Sequence, residues 1–123
     1  MNGHDEATAL ARSIFELRRM RAHHLPEAVL SEIAWNILLA LFVADADGHR
    51  MTGTDVIAIA EAPVSTGRRW IMALHDEGLV IGDGHGRLQD VIGLTAKGIS
   101  AVEACMYDAQ KFFQTRLPPS AAA

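Results

Sequence analysis

Apolar residues recur at three- and four-residue steps along most of this chain, a spacing that is typical of amphipathic helices. The most complete apolar stripe predicts a central helix over residues 28–46, which Gly48 ends. A helix with a basic surface is predicted over residues 5–21. Pro26 separates the two helices, because the residue before a proline avoids helical geometry.

Two shorter helices are predicted next, each opened by a hydroxyl side chain that caps its first turn. The first is opened by Thr52 or Thr54. The second runs over residues 64–77 and is opened by Ser65 or Thr66. Residues 61–63 form a tight break between the two helices, so the helices are expected to lie next to each other in space.

Beyond residue 78 the pattern changes to that of a β-hairpin. A strand over residues 79–81 and a second strand over residues 87–93 flank a connection rich in glycine. Thr95 then caps a long helix that runs to about residue 116. The predicted fold class is therefore mainly α with a small β-hairpin (α+β).

Length and composition restrict the classes of protein. The chain has 123 residues, of which half are hydrophobic and 21% are charged, as expected for one globular domain. Its longest apolar run, residues 33–44, is too short to span a membrane. The polar N-terminus lacks a secretory signal and Cys105 is the single cysteine, so we expect a cytoplasmic protein with no membrane partner.

Two helices joined by a short turn form the DNA-reading unit of helix-turn-helix proteins, and a hairpin directly after the second helix makes a wing. A helical projection of residues 64–77 separates a core side from a solvent side. The predicted core side consists of Val64, Gly67, Trp70, Ile71 and Leu74. The candidate DNA-binding residues on the other side and its flanks are Ser65, Thr66, Arg68, Arg69 and Met72.

These residue types suit a protein–DNA contact. Arg69, or Arg68, can donate a bidentate pair of hydrogen bonds to guanine in the major groove. Ser65 and Thr66 can bind phosphate at the positive end of the helix dipole. An ordinary amphipathic helix with solvent-exposed arginines has the same pattern, so this helix alone does not decide between the two interpretations.

The wing supplies two further candidates, Arg87 and His85. Arg87 follows the glycine-rich tip, so a long cationic side chain there can reach the adjacent minor groove. His85 can assist when it is protonated. A surface arginine on an ordinary turn is the alternative interpretation.

Taken together, these residues resemble the MarR-type winged helix-turn-helix transcriptional regulators. The resemblance covers about residues 35–98. It is carried by AWNILL at 34–39, VST at 64–66, RWI at 69–71, LHDEGLV at 74–80 and LTAKG at 94–98. One departure lies in the wing, where regulators of this type usually carry Asp-x-Arg and this chain has His85-Gly86-Arg87.

The resemblance implies a single winged-helix domain over residues 1–123, with its core at 28–93 and a tail at 118–123. It implies a homodimer built from residues 1–25 and 95–117. Such a dimer is expected to bind double-stranded DNA at a pseudo-palindromic operator, with the recognition helix in the major groove and the wing near the minor groove.

The charge balance favours a different function. The formal net charge is −4, and residues 50–90 carry four arginines against six carboxylates. Few phosphate contacts imply modest affinity and a shallow salt dependence. The alternative is a winged helix that serves as a protein–protein interaction module with little or no affinity for DNA.

No residue pattern predicts an enzyme, a metal site or a cofactor. The six histidines lack the spacing of zinc ligands, and Cys105 lies on an apolar helical face, where a lone cysteine is usually a small hydrophobic residue. Trp35 and Trp70 are core residues by their spacing, or they line the pocket of a small-molecule effector.

Overall fold

The computed structural model describes residues 3–82 and 87–116. This part of the chain contains five α-helices and three short strands. The helices are α1 (Gly3–Arg21), α2 (Glu32–Ala46), α3 (Gly53–Ile59), α4 (Val64–Asp76) and α5 (Ala96–Arg116). The strands are β1 (Met51–Thr52), β2 (Val80–Ile81) and β3 (Val91–Leu94). The order of elements agrees with the predicted fold class.

The central helix α2 begins at Glu32, four residues after its predicted start. The hydroxyl of Ser31 accepts a hydrogen bond from the backbone N–H of Ala34 at 3.0 Å and caps the helix. The preceding residues Glu27–Val29 form a separate 3-10 turn, and Leu30 is exposed rather than part of the core stripe. A cap that interrupts a continuous apolar pattern therefore sets the helix boundary.

Helix α3 is capped by Thr52, one of the two predicted candidates. The Thr52 hydroxyl accepts from the Asp55 N–H at 3.2 Å, and the Asp55 carboxylate accepts from the Thr52 N–H at 3.0 Å. This reciprocal capping box satisfies two N–H groups that have no partner within the helix. It fixes the point at which the helix-turn-helix unit begins.

The sheet has three antiparallel strands in the order β1–β3–β2. Met51 of β1 pairs with Ile92, and Val80 of β2 pairs with Leu94. The predicted second strand was wrong at both ends, because residues 87–90 form a turn and the strand extends to Leu94. Strand β1 was not predicted, since two residues are too few to show an alternating pattern.

The hydrophobic core surrounds α2 and is closed by α3, α4, the sheet and α5. Its largest fully buried side chains are Val29, Ile37, Leu38, Val56, Leu74, Leu79 and Val102. None of the described helices combines the length and the apolar character needed to cross a bilayer.

Helix α1 stands apart from this core and contributes no buried side chain to it. It lies along α5, and His24, just beyond its C-terminus, is 2.6 Å from the Asp108 carboxylate of α5. On α5 itself Val102, Cys105 and Phe112 are buried, whereas Phe113 is 42% exposed. The two terminal helices thus leave apolar surface uncovered.

Candidate nucleic-acid interface

The close crossing of α3 and α4 depends on Gly67. A Cβ atom built on Gly67 would lie 2.6 Å from Cγ1 and 2.8 Å from Cγ2 of Ile57, whose side chain is buried. Such distances are well inside van der Waals contact, so a larger side chain would force the helices apart. Gly67 therefore holds α4 at a fixed position against α3.

The helical projection predicted correctly which residues of α4 are buried, with one exception. Gly67, Ile71 and Leu74 are buried and Trp70 is half-buried, as predicted. Val64 is the exception, because it is 61% exposed. Its predicted place in the core was wrong, since the first turn of α4 is left uncovered by neighbouring elements.

The predicted hydroxyl cap of α4 is also wrong. Pro63 occupies the N-cap position, and no side chain caps the first turn. Ser65 is exposed and Thr66 is half-buried, and neither hydroxyl bonds to a residue in the described ranges. The first-turn N–H groups and both hydroxyls therefore remain available to an anion.

Arg68 and Arg69 are both exposed in the first half of α4, together with Met72. Within residues 3–82 and 87–116 neither guanidinium forms an ion pair. Asp76 lies seven residues after Arg69, about 10 Å further along the helix at 1.5 Å per residue. The single acid of α4, its last residue Asp76, is thus separated from the two arginines by almost two helical turns.

The far end of α4 is anchored to the start of α5. Gly78, with a φ of 73°, closes the helix, and its carbonyl accepts a hydrogen bond from the Thr95 hydroxyl at 2.6 Å. The Lys97 ammonium donates to the carbonyl of Glu77 at 2.9 Å. The predicted cap by Thr95 is present too, because its hydroxyl accepts from the Gly98 N–H at 3.0 Å. The role of Lys97 was not predicted.

Arg87 lies at the base of the wing, where Asp90 holds its side chain. The Arg87 Nε atom is 3.5 Å from the Asp90 Oδ2 atom, and the Arg87 side chain is 64% exposed. The backbone closes a turn here, since the Asp90 N–H donates to the Arg87 carbonyl at 3.1 Å. The role of Asp90 was not predicted. The acid of the expected Asp-x-Arg pattern precedes the arginine, whereas Asp90 follows Arg87 in the chain. His85 lies outside the described residues.

This turn is bonded to the first residues of α3. The Gly53 N–H donates to the Asp90 carbonyl at 3.3 Å, and the Thr54 N–H donates to the Leu88 carbonyl at 3.0 Å. These two backbone hydrogen bonds therefore fix the position of the wing base relative to the helix-turn-helix unit.

Trp35 and Trp70 are half-buried and pack against the core. The Arg21 guanidinium lies 4.8 Å from the ring centroid of Trp35 and 3.1 Å from the Glu32 carboxylate. Trp35 also lines a cavity of about 400 Å³ between α1, α2 and α5. Trp35 therefore packs against the core, as one interpretation predicted, and also borders a cavity that no residue of α4 lines.

Cys105 also lines this cavity and is buried. Burial raises the pKa of its thiol, the Asp108 carboxylate raises it further, and Arg21 opposes them. A raised pKa keeps the thiol protonated, which is unlike a reactive cysteine. Among the described residues, no three histidine, cysteine or acidic side chains are grouped as metal ligands.

No protein-family model matches the sequence, and no curated protein does. Solved structures do match its fold. A variant of MepR, a transcription regulator from Staphylococcus aureus, is 17% identical with a TM-score of 0.71, over 99% of this chain and 89% of that chain. The MepR–DNA complex is 22% identical with a TM-score of 0.65, over 87% of each chain.

The transcriptional regulator Tm0710 from Thermotoga maritima has the same fold. It is 12% identical, with a TM-score of 0.62 over 91% of this chain and 77% of that chain. At these identities the likeness establishes the fold. The predicted winged helix-turn-helix fold is thereby confirmed.

Proposed function

We propose that this chain, which has the winged helix-turn-helix fold of those regulators, is a sequence-specific DNA-binding transcriptional regulator. The observation that carries the proposal is the first half of α4, where Arg68 and Arg69 are exposed and form no ion pair within the described ranges. Guanidinium groups on an exposed helix are the commonest readers of guanine in the major groove.

In this proposal α4 enters the major groove with its N-terminal end first. Arg69 donates a bidentate pair to the O6 and N7 atoms of guanine, with Arg68 beside it. Ser65 and Thr66 bind a phosphate together with the uncapped N–H groups of the first turn. Met72 contributes apolar contact with a thymine methyl group.

The wing lies over the adjacent minor groove. Arg87 projects from the wing base with its guanidinium oriented by Asp90. A narrow minor groove has an enhanced negative potential, which attracts arginine. His85, which lies outside the described residues, is proposed to assist Arg87 when it is protonated.

The regulator is proposed to act as a homodimer through α1 and α5. Helix α1 has no buried side chain, and Leu10 and Phe15 are 58% and 67% exposed. A cavity of about 400 Å³ between the helices is lined by Leu10, Phe112 and Phe113. A second copy would cover this apolar surface and place two recognition helices on a pseudo-palindromic operator.

A small-molecule effector is also part of the proposal. The cavity beside Trp35 and a second cavity between α2 and α3 both have the volume of small-ligand sites. The residues that line the second cavity extend to Glu61, three residues before α4 begins.

A protein-interaction module is the second candidate, and one observation favours it. The exposed surface around α4 and the sheet is partly apolar, since Val64, Met72, Ile81 and Val91 are all exposed. Together with the net acidic charge of residues 50–90, exposed apolar side chains of this kind suit a protein partner.

A fluorescence-anisotropy titration of the full chain against fragments of its source genome, at low salt, separates the two functions. A regulator retains a subset of fragments and releases them as salt rises. Uniformly weak binding to every fragment would contradict the regulator and favour the interaction module.

A further inference from the structure

The turn that follows α4 is bonded to the first turn of α5, and we call this contact the α4–α5 junction. The Lys97 ammonium donates to the Glu77 carbonyl at 2.9 Å, and the Thr95 hydroxyl donates to the Gly78 carbonyl at 2.6 Å. Glu77 is the C-cap residue of α4, so its carbonyl has no partner within the helix. Lys97 supplies that partner from a different element.

The backbones at the junction approach each other closely. The Thr95 N–H donates to the Leu79 carbonyl at 3.1 Å. Gly98 is buried against the same carbonyl, and a Cβ atom at this position would overlap the Leu79 oxygen. No side chain separates the two segments here, so the start of α5 is a fixed support for the end of α4.

Lys97 also brings a positive charge to a negative helix end. The dipole of a helix is negative at its C-terminus, and Asp76 and Glu77 add two carboxylates at that end of α4. His75 is the one basic residue in the last turn of α4. A charge-assisted hydrogen bond from the Lys97 ammonium is therefore favoured at this position.

Two directional contacts thus hold α4, one near each end. The crossing of Gly67 over Ile57 holds its first half, and Lys97 holds its end ten residues further along, about 15 Å away at 1.5 Å per residue. Ile71 and Leu74 pack in the core between them, but apolar burial is non-directional and does not fix a helix axis. The α4–α5 junction is the contact that relates this axis to α5.

We propose that Lys97 is a positioning residue, which holds the recognition helix at the orientation that the two half-sites of an operator require. The inference rests on the proposed function, because it takes α4 as the DNA-reading helix and α5 as part of the dimer interface. A bidentate pair between Arg69 and guanine depends on direction, so a rotation of α4 weakens it. Lys97 acts on this pair through α4, without contact to DNA.

Three variants separate the hydrogen bond of Lys97 from its charge. Lys97→Met removes the ammonium and keeps the chain length, and Lys97→Arg retains a cationic donor. Lys111→Met is the matched control, because Lys111 is the other lysine of the chain and is exposed on α5, beside Tyr107. Thr95 is less suitable for substitution, since its hydroxyl also caps α5.

Anisotropy titrations of the full chain measure the effect on DNA. Lys97→Met is expected to bind the best-bound genomic fragment about two- to fivefold more weakly, the range of a charge at a helix end. Its affinity for unrelated DNA and its salt dependence are expected to stay unchanged, and Lys97→Arg and Lys111→Met to bind like the wild type. An equal loss on unrelated DNA with a shallower salt dependence would overturn the proposal, because it would identify Lys97 as a phosphate contact.

The spacing of the half-sites distinguishes positioning from a general loss of stability. One base pair inserted between them shifts one half-site by about 3.4 Å and about a tenth of a turn. We expect this insertion to weaken binding less in Lys97→Met than in the wild type, because a loosely held α4 can follow the displaced half-site. A general loss of stability would weaken binding to both fragments by the same factor, and this result would overturn the proposal.

Amide hydrogen exchange of the free chain tests the junction without DNA. The N–H groups of Gly78 and Leu79 close the last turn of α4 by donating to the carbonyls of His75 and Leu74 at 2.9 and 3.0 Å. We expect both to exchange faster in Lys97→Met than in the wild type and in Lys111→Met, because local opening at the helix end becomes easier. Unchanged exchange would overturn the proposal. Faster exchange in a chain that binds no DNA would support the junction and refute the proposed function.

Discussion

The Nε atom of Arg87 lies 3.5 Å from the Oδ2 atom of Asp90, three residues further along the chain. The acid therefore orients the wing arginine from its C-terminal side. In MarR-type regulators the corresponding acid usually precedes the arginine, and His85 occupies that place here. The turn that joins Arg87 to Asp90 is bonded to Gly53 and Thr54, so the pair is held on a supported base.

Asp90→Asn is expected to weaken DNA binding about two- to fivefold, the range of an exposed ion pair. The variant removes a negative charge near DNA, which by itself would strengthen binding, so weaker binding indicates that Asp90 positions Arg87. Asp76→Asn is the control, because it removes the same charge from α4 without a contact to Arg87. Anisotropy titrations in which both variants bind more tightly than the wild type would refute the positioning role.

Gly67→Ala is expected to destabilise the fold by about 1–2 kcal/mol, because overpacking against Ile57 outweighs the higher helix propensity of alanine. Chemical denaturation measures the change. In an Ile57→Ala background the clash is absent, and the same substitution is expected to stabilise the fold. A loss of stability of the same size in both backgrounds would show that the contact between Gly67 and Ile57 is not the cause.

Hydrophobic periodicity predicted the order of elements because α2 to α5 and the hairpin each bury a set of side chains, whereas α1 has an apolar stripe but no buried side chain. Ile37, Leu38 and Leu74 were assigned to buried faces and are buried. The boundaries were less accurate where a cap interrupts the apolar pattern, as Ser31 does before α2. Val64 was misplaced because a periodic pattern does not show which turn of a helix lacks a neighbour.

The candidate site was predictable as far as it depends on one helix. The exposed face of α4, with Arg68 and Arg69, follows from a 3.6-residue repeat. Asp90 and Lys97 were missed because their roles depend on contacts between elements, which spacing along a single element does not encode.

Phe15→Glu is expected to weaken or abolish the dimer. Phe15 is 67% exposed on α1, and a buried, unpaired charge in an apolar interface is strongly unfavourable. Sedimentation velocity at micromolar concentration measures the effect. Val91→Glu is the control, because Val91 is an exposed apolar residue of β3, far along the chain from α1. A wild-type chain that stays monomeric in this experiment would refute the dimer.

Cys105 is expected to react slowly with a thiol reagent in the folded protein and rapidly after denaturation. Its pKa is raised above 9.0 in the folded state, so folding favours the protonated thiol. The stability that this contributes is present below the pKa of the unfolded chain and is lost as pH rises above about 9. Urea denaturation should show a steeper loss of stability above that pH in the wild type than in Cys105→Ala. Identical pH profiles would contradict the burial of the thiol.

The most direct test of a DNA-reading α4 is the affinity of Arg69→Ala for the best-bound genomic fragment and for unrelated DNA. We expect a loss of roughly 1–3 kcal/mol on the specific fragment and a much smaller loss on unrelated DNA. Arg19→Ala, which removes the same charge from an exposed position on α1, should leave the specific affinity nearly unchanged. Equal affinity of Arg69→Ala and the wild type for the specific fragment would contradict a base-reading role for Arg69.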